Sequence, residues 1–128
     1  MKKLRIFVLD ESPFFLARIR KFIVSLPGIR IVGEGRSPLS ALHCIHKIRP
    51  DVIVMDLKAH SRFGVDMLRS IGRMTPVPTV ILLANGICNR SVGKAWEKAD
   101  YLLDKLTECH KIPEILSALH HARYCSAV

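Results

Sequence analysis

A doubly wound α/β fold, a five-stranded parallel sheet with helices on both faces, is the fold class this chain predicts. Apolar, β-rich runs alternate with helix-period segments throughout its 128 residues, the pattern of strand-helix units joined by right-handed crossovers. The run Val52-Ile53-Val54-Met55 is apolar at every position, as expected of a strand covered on both faces. Two Ser-Pro pairs, Ser12-Pro13 and Ser37-Pro38, stand where an apolar run gives way to helical spacing. Serine offers an N-cap there, and proline the fixed φ of a first helical residue.

The first strand is Leu-Arg-Ile-Phe-Val-Leu at 4–9. The first helix is expected over 13–26, with Leu16, Ile19, Ile23 and Leu26 on its core face and Phe14, Arg18, Lys21 and Ser25 on another. Pro27-Gly28 ends it, and 29–33 reads as the second strand. After Ser37-Pro38, the residues Leu39, Leu42, Ile45 and Ile48 continue at helical spacing until Pro50-Asp51. The third strand, 52–55, leads through a loop containing Gly64 to a helix near 65–74. Pro76 and Pro78 introduce a fourth strand at 79–83, and Asn85-Gly86 marks the next turn. A weaker helix near 90–98 carries Gly93 and Trp96, 101–103 makes a short fifth strand, and 112–124 the last helix.

Length fits one domain spanning 1–128, with no repeat, linker or low-complexity segment. Cys44, Cys88, Cys109 and Cys125 are widely spaced, and no apolar leader opens the chain. Reduced thiols and a cytoplasmic location are therefore expected. Uncharged apolar runs fall short of the ~20 residues that a membrane span needs. The formal net charge of +9 leaves a basic exterior able to attract acidic partners, but its Lys and Arg are scattered and choose none by themselves.

Three strand-like runs end in charge: RIFVLDE at Asp10 and Glu11, DVIVMD at Asp56, DYLLDK at Lys105. Ligands of open parallel sheets collect at the carboxyl ends of the strands, so these residues are expected to converge on one pocket. Crowded carboxylates are costly without a cation, and hard oxygen ligands suit Mg²⁺. Asp56, at the centre, is the expected nucleophile toward phosphorus. The Lys105 ammonium would stabilise charge on the phosphoryl oxygens.

With those residues in place, the chain resembles, over essentially its whole length, the receiver domain of bacterial two-component response regulators, a flavodoxin-like fold. VLDESP, RPDVIVMD, Gly64 eight residues beyond the acid, and ADYLLDK carry the resemblance. It implies that Asp10 and Glu11 bind Mg²⁺, that Asp56 accepts a phosphoryl group from a histidine kinase or phosphotransfer protein, and that Lys105 contacts the phosphate. The Lys58 backbone carbonyl would add a metal ligand. The signal would pass to a separate downstream protein, without enzymatic activity beyond self-phosphorylation and dephosphorylation. Direct nucleic-acid binding is not expected, since no helix-turn-helix module follows, nor is membrane insertion. A flavin site is not expected either, because two acids follow the first strand.

The chain departs from the receiver pattern at several positions. The Ser or Thr that ends the fourth strand is Ala84, or Leu83 if the alignment slips by one. The aromatic switch position holds Leu102, with Tyr101 one residue back. Leu106 and His60 stand where prolines are usual, and Glu11 where aspartate is common. The expected output is accordingly weak, rerouted or independent of phosphate. The alternative function is a degenerate receiver acting as a phosphate-independent interaction module with a basic surface. Phe14 is a kinase-docking candidate, against the reading that both Phe14 and Phe15 cap the core. The Ile87–Trp96 segment is the candidate mobile element. His43, Cys44 and His46 lack a second ligand pair of recognisable spacing and are not expected to bind metal, and His120 and His121 carry no expected role.

Overall fold

The computed structural model describes residues 2–56, 62–85 and 99–124. Five parallel strands, β1 (Leu4–Leu9), β2 (Ile29–Gly35), β3 (Val52–Asp56), β4 (Thr79–Ala84) and β5 (Tyr101–Asp104), form one sheet in the order β2-β1-β3-β4-β5. Four α-helices are described, α1 (Pro13–Ile23), α2 (Pro38–Ile48), α3 (Arg62–Gly72) and α4 (Ile112–Tyr124), and a 3₁₀ turn at Cys109–Lys111 precedes the last of them. The doubly wound sheet predicted above is what the chain forms.

Alternation along the strands builds two cores. Leu4, Ile6 and Val8 of β1 face one side with Leu16, Ile19 and Ile23 of α1 and Ile112 and Leu116 of α4. Phe7 and Leu9 face the other side with Ala41 and Ile45 of α2 and Met67, Leu68 and Ile71 of α3. The central strands contribute to both layers, Val52, Val54, Ile81 and Leu83 to the first, Ile53, Met55, Val80 and Leu82 to the second. Each fully buried Val, Leu, Ile, Phe or Met side chain among them contributes about 1.5–3 kcal/mol relative to exposure.

Several boundaries differ from the sequence reading. Helix α1 stops at Ile23, because the Leu26 N–H bonds to the Ile23 carbonyl in a tighter turn before Pro27. Gly28, at φ 77°, then reverses the chain. Strand β2 runs to Gly35, two residues beyond expectation, its Gly-Glu-Gly end carried by pairing with Phe7, Val8 and Leu9. Helix α3 begins at Arg62 rather than near 65 and ends at Gly72, where Arg73 and Met74 N–H groups bond three residues back. Gly64 therefore lies inside a helix, not a loop. Leu39, the first of the helically spaced apolar residues of α2, is 72% exposed. It lies about 200° around the helix from Ala41, on the far side of the buried stripe. The helix expected at 90–98, and with it Trp96 and the Ile87–Trp96 segment, lies outside the described residues, as do Lys58 and His60.

Near the amino ends of the strands, the His120 ring Nε2 is 3.0 Å from the Lys2 carbonyl. A Cβ on Gly28 would come within 2.5 Å of that ring. The first and last described segments are tied together at this point.

Candidate functional site

At the carboxyl edge of the sheet, the adjacent strands β1 and β3 deliver Asp10 and Asp56, and the turn after β5 delivers Lys105. Strand β4 separates β3 from β5, so the lysine's long stem has to reach across it. The Lys105 backbone is held for that reach, its N–H donating to the Ala84 carbonyl at 3.0 Å and its carbonyl accepting from Cys109 Sγ at 3.0 Å. Asp104 shapes the turn: its carboxylate accepts from the Thr107 N–H and hydroxyl, while its own N–H donates to Glu108 Oε1.

Lys105 Nζ lies 2.8 Å from Asp10 Oδ2 and 3.0 Å from Asp56 Oδ2. All three side chains are nearly out of water, Asp10 at 1%, Lys105 at 5% and Asp56 at 9% exposure. Breaking such a buried pair leaves an uncompensated charge, at a cost of about 3–5 kcal/mol. Asp10 Oδ1 accepts the Ser12 N–H at 2.8 Å, which turns the carboxylate inward just before α1. Asp10 Oδ2, though ion-paired by distance, makes no directed hydrogen bond.

Of the residues expected to converge, Asp10, Asp56 and Lys105 do so. Glu11 is exposed, and among the described residues no trio of His, Cys, Asp or Glu side chains is assembled to hold an ion. The ammonium of Lys105 is thus flanked by two carboxylates, Asp10 and Asp56, and Glu11 lies outside that trio. Asp10 is turned in by its bond to Ser12, while Glu11 begins the loop. The Lys58 carbonyl lies outside the described residues. The residues nonetheless fit a hard cation, since two carboxylates are what Mg²⁺ commonly takes from a protein. Asp10 Oδ2 has no directed hydrogen bond to give up, and the formal charge of two acids and one lysine is negative.

Ala84 is buried at the end of β4 and carries no hydroxyl, and neither does Leu83, which pairs with Asp56. Leu102 packs against the α2–α3 core while Tyr101 is exposed. The Phe14 and Phe15 rings meet edge to face, centroids 5.5 Å apart. Phe14 is exposed, and Phe15 turns inward beneath Lys105, 4.1 Å from Nζ to ring centroid. Sequence reasoning assigned Phe15 no role in the site. Its only signal was an aromatic residue one turn into the helix that follows the acids. His46 Nε2 meets Ser70 Oγ at 3.2 Å between α2 and α3, while His43 and Cys44 are exposed.

The family model for the response regulator receiver domain matches residues 6–117. The chain belongs to the response-regulator receiver family. Among curated proteins it is similar to the protein-glutamate methylesterase/protein-glutamine glutaminase of Alkalilimnicola ehrlichii, 38% identical over 79 residues, which are 62% of this chain and 20% of that protein. The chain thus spans about a fifth of that relative's length. Among solved structures it resembles the signal receiver domain of the putative response regulator NarL from Mycobacterium tuberculosis, with TM-score 0.79 and 22% identity over 96% of this chain and 100% of that one. It also resembles the response regulator domain of Thermotoga maritima CheB, with TM-score 0.70 and 22% identity over 94% and 93%.

Proposed function

We propose that this receiver accepts a phosphoryl group on Asp56 from a histidine kinase or phosphotransfer protein, with Mg²⁺ at the Asp10 carboxylate, and passes the signal to a separate protein. The observation that carries the reading is the Lys105 ammonium bridging Asp10 and Asp56 at 2.8 and 3.0 Å. An Asp56 oxygen attacks phosphorus while the bond from phosphorus to the donor's imidazole nitrogen breaks, and that nitrogen keeps the electron pair. Positioning and charge stabilisation supply most of the catalysis in such a transfer. Lys105 offers its ammonium to the phosphoryl oxygens, and the Asp10 carboxylate would hold the metal when it is bound. Bound Mg²⁺ would offset the charge gathering on those oxygens. Asp10, Glu11, Asp56 and the Lys58 carbonyl are the proposed ligands. In this reading the protein has no activity beyond taking and losing that phosphoryl group.

Intact mass after incubation with acetyl phosphate and Mg²⁺ tests the proposal. A labile phosphoryl adduct is expected on the wild type and not on Asp56→Asn. No adduct on the wild type would sink it.

A second reading is favoured by one residue. Ala84 stands where a hydroxyl would contact the phosphate, so the contact through which phosphate biases the two states of a receiver is missing. That favours a phosphate-independent interaction module, which would bind an acidic partner through its basic exterior. Salt-sensitive partner binding unchanged by Asp56→Asn would establish it.

A further inference from the structure

Lysine carries its charge on a flexible stem, and two carboxylates alone leave the Lys105 ammonium free to slide between them. A third contact is present. Nζ sits 4.1 Å from the centroid of the Phe15 ring, in the range where a ring's negative face attracts a cation, and more strongly where water is excluded. Lys105 is buried, so the attraction is little diluted by solvent.

The backbone that carries the ring is held in turn. The Phe15 N–H donates to Ser12 Oγ at 3.4 Å, and the Ser12 N–H donates to Asp10 Oδ1 at 2.8 Å. The contacts close a circuit from Asp10 through Ser12 and Phe15 to Lys105 Nζ and back to Asp10 Oδ2. A third carboxylate would also hold the ammonium, but it would repel an arriving phosphoryl group. A ring face attracts the cation without adding a full negative charge.

We infer that Phe15 is a positioning residue for phosphoryl transfer, its ring face fixing the Lys105 ammonium beside Asp56 Oδ2. The inference rests on the reading of Asp56 as phosphoacceptor. Fluorination drains negative charge from a phenyl face while nearly preserving its shape. Mono-, di- and trifluorophenylalanine at position 15 of the full chain therefore separate attraction from packing. The initial rate of adduct formation with acetyl phosphate and Mg²⁺ is expected to fall stepwise along that series at an unchanged melting temperature. Phe15→Tyr is expected to keep the wild-type rate, and Phe15→Leu to lose about two- to thirtyfold. A rate flat across the fluorinated series, or one that only follows melting temperature, overturns the inference.

A second readout needs no phosphate. The Lys105 ε-methylene protons are expected to resonate upfield in the wild type and to lose that displacement in Phe15→Leu. An undisplaced wild-type signal overturns the contact even if phosphorylation proceeds. If the wild type takes no phosphoryl group while the signal is displaced, the phosphoacceptor reading has failed and the contact stands without a part in transfer.

Discussion

The Cys109 thiol is buried, and burial pushes its pKa up against the weaker opposing pull of Arg18 and Lys105. A reactive thiol has to be a thiolate, so Cys109 should be inert in the folded protein while the exposed Cys44 reacts. Brief iodoacetamide treatment followed by peptide mapping is expected to mark Cys44 in native protein, and Cys109 only after denaturant is added. The raised value also has a sign for stability. Its contribution is present below the unfolded thiol's pKa and lost as pH rises through the folded one. At this scale the chemistry of the site was legible because Asp10, Asp56 and Lys105 end apolar runs. Which way each side chain turns was not. Nothing in the residue types says that Asp10 points in and Glu11 out, and a ring over an ammonium joins residues 15 and 105, whose proximity only the folded sheet creates.

Strand β2 shows what a single element adds. Its register with β1 slips between Ile6 and Phe7, so that Ile6 pairs with Ile31 but Phe7 with Gly33, leaving Val32 as an extra residue. The fully buried Phe7 ring fills the space a side chain on Gly33 would need, since a Cβ there would lie 2.8 Å from two ring carbons and 3.1 Å from Ile48 Cδ1. Gly33→Ala should therefore cost about 1–3 kcal/mol by overpacking, read as a lower denaturant midpoint at unchanged slope. The periodicities of α1 and α2 and the Ser-Pro starts were readable because they are local. The bulge and the extension of β2 to Gly35 were not, because partner strand and opposing ring decide them and glycine has low strand propensity.

Across the whole molecule, alternation of strand and helix made the parallel sheet and its two covered faces legible, and the handedness of crossovers restricted its topology. The order β2-β1-β3-β4-β5 has a result that the pattern alone did not state: the two acids sit on neighbouring strands and the lysine two strands from Asp56. The bond between His120 Nε2 and the Lys2 carbonyl joins positions 118 apart in sequence. Closing so long a loop is entropically costly and is rewarded only after intervening structure has formed. That clasp belongs late in the order of events by which the chain folds. Stopped-flow kinetics of His120→Ala are accordingly expected to show faster unfolding with a nearly unchanged folding rate. The tie between the first and last described segments then acts as a brake on unfolding, setting how long the molecule persists rather than how quickly it forms.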